Sequence, residues 1–370
     1  MTAVIPAGVE TARDLVGPAL AAAVDRLSPD VRKVAAYHLG LAGPEGALLG
    51  LAGPEGAPPG TADGPRPGGG ARGGRGARGR APGAGKALRP ALTLLSARAA
   101  HAAPERGVPA AVAVELVHNF SLLHDDIMDG DTERRHRPTA WTVYGIGAAI
   151  LAGDAMLALA QDILLEDTAA SQGVWAARAL SAAVQRLIAG QGADLAFEQR
   201  DDVLLTECLT MAGDKTAALM ACACSIGSIH VGAPPQLAMG LAAFGAHAGL
   251  AFQLTDDLLG IWGAPEVTGK PVRSDLRARK KSLPVVAALS AGTAEAGELA
   301  ALLAREEALS EEDLLRAAEL VEAAGGKTWT ESEAGTQLAD AHKCLADTDM
   351  PGDVRAEFAG IAEFITARQW

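Results

Sequence analysis

Two short acidic stretches carry the residues best suited to chemistry. In 124-HDDIMDGD-131, Asp125, Asp126 and Asp129 fall at positions i, i+1 and i+4. On a helix, Asp125 and Asp129 share a face about one turn apart, where like charges repel. A hard divalent cation with oxygen ligands offsets that repulsion, and Mg²⁺ is the usual ion where a phosphate completes the shell. In 253-QLTDDLLG-260, Asp256 and Asp257 follow Gln253, and Gly260 stands where a third carboxylate would repeat the spacing. For either fragment alone, an exposed acidic turn is the ordinary alternative. The cations weigh against it. Lys86 and Arg89 lie in 85-GKALRP-90, Arg134 and Arg135 follow the first acidic stretch, and Lys270 and Lys280 follow the second. Lys215 sits mid-helix beside an uncharged run. Acidic groups with metal can hold one polyphosphate while a separate Lys/Arg set holds another directly.

Carboxylates at this spacing need helices to aim them. Of the 370 residues 49% are hydrophobic and only 4% aromatic, which favours helix over sheet. Apolar residues recur at i, i+3 and i+4 in 109–126, 148–167, 174–190, 204–230 and 240–262, and again within 283–369. Gly and Pro cluster between them at 189–192, 231–235 and 263–271, and no strand–helix alternation appears. The expected fold is all-α, a single-domain helical bundle with one core, with carboxylates delivered from two helices into a common space.

Residues 8–38 read as a helical segment, giving an N-terminal part at 1–40. A tandem duplication follows, 39-LGLAGPEGAL-48 and 49-LGLAGPEGAP-58, and runs into a Gly-, Pro- and Arg-rich tract. Such composition cannot offset the entropy of ordering the chain, so 41–84 is expected to be a disordered insert before a core at 85–370. Its five arginines have the look of a nucleic-acid tail, but a low-complexity loop expansion is the plainer reading. The net charge of −13 excludes a general nucleic-acid or anionic-membrane binder.

From Ala217 to Thr255 there is no Asp, Glu, Lys or Arg, a run long enough to cross a bilayer. Pro234-Pro235 interrupts it, so two buried helices joined by a turn are expected rather than stable membrane insertion. Cys208, Cys222, Cys224 and Cys344 show no zinc-ligand spacing. They read as core fillers in a reduced, cytoplasmic setting, and no signal peptide is seen. The segment 79-GRAPGAGKA-87 lacks the glycine spacing and the hydroxyl of a P-loop, and 145-GIGAAI-150 lacks the third glycine of a dinucleotide fingerprint.

Taken in order, GKxxRP, ExxHxxSLLHDDxxDxxxxRR, KT, QxxDD, GKxxxSD and KxSLP make 85–370 closely resemble the trans-isoprenyl diphosphate synthases. These are the head-to-tail prenyltransferases of the farnesyl and geranylgeranyl type. The resemblance implies the isoprenoid synthase-type helical bundle around a central apolar cavity, and a homodimer. It implies that isopentenyl diphosphate condenses with a C5–C15 allylic diphosphate, releasing pyrophosphate. The allylic diphosphate would be held through Mg²⁺, about three ions with Mn²⁺ as a substitute, by Asp125, Asp129 and Asp256. Asp126 and Asp257 are counted with the metal-binding residues as the other members of the acidic pairs, Asp257 through metal-bound water. Arg134, Lys215 and Lys280 would contact the same diphosphate, and Lys270 would also bind substrate. Lys86, Arg89, His118 and Arg135 would hold isopentenyl diphosphate without metal. Thr216 and Gln253 would turn oxygens toward the allylic cation.

Chain length should depend on residues below the first acidic motif. Phe120 lies five residues before Asp125, Ser121 four and Val117 eight. One aromatic beside a small serine, with no insertion in DDIMD, resembles the geranylgeranyl (C20) pattern more than the farnesyl one, with Phe120 as the floor. Rival readings are a farnesyl synthase, a terpene cyclase of the same fold, and a non-catalytic modulating subunit. Cyclases of that type carry an Asn-rich motif, and this chain has one asparagine, Asn119. Gly260 is the main support for the subunit reading. One well-aimed carboxylate at Asp256 suffices for the cluster, so Gly260 is expected to weaken Mg²⁺ affinity rather than abolish activity.

Overall fold

The structure is a computed structural model and describes residues 7–46, 87–135, 137–166, 170–265 and 272–367. Prolines and short turns set where its helices begin. Helices α1 (Ala7–Val24) and α2 (Pro29–His38) divide the segment 8–38, because Pro29 at the first position of α2 starts a new helix after Ser28. After α3 (Leu88–Ala99), Pro109 opens α4 (Val108–Met128), which carries the first acidic motif in its last turn. A two-stranded hairpin follows, β1 (Glu133–Arg134) against β2 (Arg137–Pro138), antiparallel with Arg134 opposite Arg137. The helical periodicity gave no sign of it. Helices α5 (Ala140–Tyr144), α6 (Ile146–Glu166) and α7 (Ala170–Glu198) lead to α8 (Leu205–Ala212).

The stretch 204–230, expected as one helix, is continuous but not uniform. Between α8 and α9 (Ala218–His230), residues Gly213–Ala217 form a π-helical step. Pro234-Pro235 ends the connection and starts α10 (Pro235–Trp262), which bears the second acidic motif. The C-terminal part adds α11 (Ser274–Arg277), α12 (Leu283–Leu289), α13 (Ala294–Leu303), α14 (Glu311–Ala323), α15 (Gly326–Ala346) and α16 (Gly352–Thr366).

Helices α9 and α10 lie at the centre, α9 against α3 and α7, α10 against α9 and α15. The uncharged run is thus a buried helix pair, as its proline break predicts. Among the described residues, two helices, α6 and α10, are long and apolar enough to cross a membrane, and half of the most apolar window of α10 is buried inside the bundle. Small residues allow the central approach. A Cβ on Gly245 would lie 2.7 Å from Ala221 Cα, and one on Gly249 would lie 2.8 Å from Ala217 Cα. Buried hydroxyls tie α3 to α9, with Thr93 Oγ1 donating to Ala223 O at 3.0 Å and Ser228 N to Ser96 Oγ at 2.8 Å.

The start of the proposed insert belongs to this fold. Ala42 is buried, and its carbonyl accepts from Arg137 Nη2 at 3.2 Å, while Tyr144 Oη donates to Pro44 O at 2.8 Å. The rest of 41–84, from residue 47 on, lies outside the described residues.

Candidate active site

The last turn of α4 separates its three aspartates by direction. Asp129 is exposed and Asp125 half-buried, whereas Asp126 is buried at 1% exposure and turns to the hairpin. There Asp126 Oδ1 accepts from Arg134 Nε at 2.6 Å. Burial pushes the Asp125 carboxyl up to about 6, with Asp129 adding to the shift and Lys215 opposing it. A carboxylate so placed gains from any cation that approaches.

Lys215 reaches this acidic face from the π-helical step. Such steps insert an extra residue into a helix and occur often at functional sites. Its Nζ donates to Asp194 Oδ2 on α7 at 2.5 Å. The close approach depends on Gly190, where a Cβ would lie 2.3 Å from Lys215 N. Asp214, next in sequence, pairs instead with Arg186 Nε at 2.7 Å.

A hydrogen-bonded chain fixes the far wall. Thr216 Oγ1 donates to Gln253 Oε1 at 2.6 Å, Gln253 Nε2 donates to Asp257 Oδ1 at 2.7 Å, and Leu283 N donates to Asp257 Oδ2 at 2.9 Å. Asp257 therefore orients the Gln253 amide and caps the start of α12, with both its oxygens committed. Burial first, then Asp275, raises its carboxyl to about 6 despite Lys280 nearby. Asp126 and Asp257, grouped with the metal ligands from sequence, thus have protein partners of their own. Asp256 is the exposed member of its pair. Lys280 is held among aspartates; burial works to lower its pKa, but Asp257, Asp275, Asp194 and Asp256 outweigh it and hold the ammonium charged.

The second cationic group lies between α3, α4 and the hairpin. Arg89 Nη1 meets His118 Nε2 at 3.2 Å. Arginine has only donors, so Nε2 must be the unprotonated nitrogen of a neutral ring. Burial, then Arg89, Arg135 and Arg134, hold the His118 pKa well below its usual value. Glu115 supplies the counter-charge and is steadied by Asn119 Nδ2 at 3.0 Å. Arg135 adopts a left-handed backbone at φ 53° and lies in the field of Glu115. Arg89 Nε is buried and has no hydrogen-bond partner among the described residues, the mark of a donor that waits for an anion.

One cavity of about 540 Å³ joins the two groups. Arg89, His118, Arg134 and Arg135 line one end, Asp125, Lys215 and Thr216 the other, with Leu187, Leu219 and Phe252 as apolar wall. Ser121 lines it as well, but Phe120 and Val117 do not. Phe120 is buried and packs edge-to-face on His124 at 5.0 Å, and Val117 is fully buried. Lys86 and Lys270 lie outside the described residues.

Among the described residues, no three His, Cys, Asp or Glu side chains converge closely enough to enclose a metal ion. Mg²⁺ takes one or two carboxylates and completes its shell with water and substrate phosphate. Asp125, Asp129 and Asp256 are the carboxylates with the right donor atoms and exposure to hold it.

Sequence reasoning missed Asp194, Glu115, Asn119 and Phe252. Lys215 in an uncharged run needed a counter-charge, and Glu115 and Asn119 stand at i, i+4. Either signal could have been read from the chain.

The Polyprenyl synthetase family model matches residues 81–321. The chain is 45% identical over 361 residues to the (2E,6E)-farnesyl diphosphate synthase of Mycobacterium tuberculosis, covering 97% of this chain and 92% of that protein. It is 38% identical over 362 residues to the geranylgeranyl diphosphate synthase of the same organism, covering 98% and 93%. The crystal structure of a polyprenyl synthetase from Streptomyces coelicolor A3(2) superposes with a TM-score of 0.84 at 47% identity, over 98% of this chain and 99% of that one. With that sequence match and this fold, the chain belongs to the polyprenyl synthetase family and is a prenyltransferase, a prenyl diphosphate synthase.

Proposed function

We propose that the chain joins isopentenyl diphosphate to an allylic diphosphate, with geranylgeranyl diphosphate (C20) as product. The observation that carries this reading is a cavity lined by Asp125 and Lys215 toward one end and by Arg89, His118 and Arg135 toward the other. Asp125, Asp129 and Asp256 hold the allylic diphosphate through Mg²⁺, and Lys215 and Lys280 donate to the same group. Bound Mg²⁺ neutralises charge that builds on the leaving diphosphate as its C–O bond breaks. Arg89, His118 and Arg135, with Lys86, hold isopentenyl diphosphate. The orphan Nε–H of Arg89 is one donor for it.

With the two diphosphates at opposite ends, the terminal double bond of isopentenyl diphosphate attacks C1 of the allylic cation. The resulting tertiary cation loses a C2 proton, which the departing pyrophosphate accepts. Thr216 directs its oxygen toward the positive charge, with Gln253 behind it as its hydrogen-bond acceptor, and Leu187, Leu219 and Phe252 exclude water that would quench it. No protein nucleophile is needed.

The C20 reading is supported by small Ser121 on the cavity wall. The 45% identity to a farnesyl diphosphate synthase favours C15 as the second reading. Chromatography of the dephosphorylated products from each allylic starter decides between them.

A homodimer is supported by an apolar surface on α6 and α7. There Leu151 is 61% and Trp175 59% exposed, beside Ile146, Ile150, Leu165 and Val174. A cytoplasmic location agrees with the burial of Cys208, Cys222 and Cys224 as unpaired thiols. Elution as a monomer at micromolar concentration would contradict the dimer.

A further inference from the structure

Gly260 stands one turn after Asp256, where Asp129 stands after Asp125, yet the space beside it is filled. A Cβ on Gly260 would lie 2.1 Å from Asp275 Oδ2 and 2.4 Å from its Cγ. The Asp275 carboxylate thus sits in the room that a side chain at 260 would take. Asp275 is delivered by α11, which is bracketed by Arg273 at φ 60° and Arg279 at φ 52°. Buried Leu276 seats α11 in the same apolar cluster as Ile261 of α10. Lys280 N donates to Asp275 O at 2.8 Å, and the Lys280 ammonium lies in the joint field of Asp257, Asp275, Asp194 and Asp256.

We propose that Asp275 is the third carboxylate of the second acidic motif, supplied from α11 rather than from α10. Gly260 is then the residue that admits it, because any side chain there would evict the carboxylate. Asp275 acts as a positioning residue: its charge helps hold the Lys280 ammonium at the site, and its carboxylate accepts hydrogen bonds from water on a metal held by Asp256. The motif keeps its charge, and Gly260 is not a loss of Mg²⁺ affinity as its sequence position suggests. The proposal rests on the reading of the cavity as a Mg²⁺–diphosphate site.

The test measures thermal stabilisation by Mg²⁺ with inorganic pyrophosphate, together with kcat and KM, in Asp275→Asn, Gly260→Asp, Gly260→Asp/Asp275→Gly and Asp256→Asn. Asp275→Asn should raise the Mg²⁺ concentration for half-maximal stabilisation about tenfold, the scale of a group that orients a metal site. It should lower kcat, leave KM for isopentenyl diphosphate unchanged, and leave the metal-free Tm intact. Gly260→Asp alone should weaken the Mg²⁺ response too, since two carboxylates compete for one space. The double variant should return it to within about threefold of the parent, on the same scale of outer-group effects. An unmoved Mg²⁺ curve in Asp275→Asn, or a strengthened one in Gly260→Asp alone, overturns the proposal. If Asp256→Asn shifts the curve while Asp275→Asn does not, only this proposal fails. If neither shifts it, the Mg²⁺–diphosphate reading fails with it.

Discussion

Lys215 and Asp194 meet at 2.5 Å between the π-helical step and α7, so the cation that faces the first acidic motif is aimed by a carboxylate from another helix. Without that partner the lysine loses its direction. Asp194→Asn should lower kcat about tenfold, with KM for isopentenyl diphosphate unchanged, whereas Lys215→Ala should lower kcat by about 10²–10³, the scale for removing one donor to a developing anion. Steady-state kinetics with each substrate varied in turn checks both. Equal kcat in Asp194→Asn and the parent would show that the pair is only structural.

Arg89 and Glu115 should separate in the other substrate. Arg89→Ala should raise KM for isopentenyl diphosphate at least about tenfold while leaving the allylic KM near the parent value, as expected when a charge-assisted contact is lost. Arg89→Lys should rescue it poorly, because lysine cannot hold His118 Nε2 and an anion with one planar fork. Glu115→Gln should raise the same KM more mildly. A matching rise in the allylic KM would place Arg89 in the wrong half of the cavity.

The Asp125 carboxyl, pushed up to about 6 by burial, couples stability and metal binding to pH. Its ordinary unfolded value is about 3.9, so between about pH 4 and 6 the folded metal-free protein binds the extra proton. That contribution to stability is therefore full below about pH 4 and is lost as pH rises through about 6. Metal-free Asp125→Asn should accordingly gain stability relative to the parent as pH rises from 5 to 7.5. Mg²⁺ with pyrophosphate has the opposite dependence, because it needs the ionised carboxylate. Its stabilisation of the parent should grow as pH rises through about 6. Thermal melts across that range check both signs, and a pH-independent Mg²⁺ effect would contradict them.

Product length should respond to Ser121 more than to Phe120. Ser121 lines the cavity, whereas Phe120 packs on His124 away from it. Ser121→Phe should shorten the product by at least one C5 unit. Phe120→Ala should mainly cost stability, about 3–5 kcal/mol as for other buried aromatics. Longer products from Phe120→Ala with unchanged products from Ser121→Phe would restore Phe120 as the floor.

Much of this architecture was legible in the chain because its signals are local. Pro109 and Pro235 mark helix starts, 3.6-residue periodicity marks buried faces, and i, i+4 spacing puts Asp125 and Asp129 on one side of α4. What stayed hidden depends on contacts between distant segments. No local pattern announces the π-helical step under Lys215, since the sequence 204–230 keeps an ordinary helical rhythm. Asp194 and Lys215 are paired only once Gly190 lets their helices approach. Asp126 and Asp257 look like metal ligands in sequence, and only the fold shows Arg134, Gln253 and Leu283 taking them up. Gly260 reads as a missing carboxylate until Asp275 is seen in its place.

The most direct measurement is product analysis of the purified protein with Mg²⁺, isopentenyl diphosphate and each of the C5, C10 and C15 allylic diphosphates. The account predicts turnover only when both substrates are present, one pyrophosphate released per C5 unit added, and a dephosphorylated C20 alcohol as the longest main product. A hydrocarbon formed from the allylic diphosphate alone, or no turnover with any starter, would contradict the assignment of the cavity. A clean stop at C15 would keep the enzyme and overturn the C20 product.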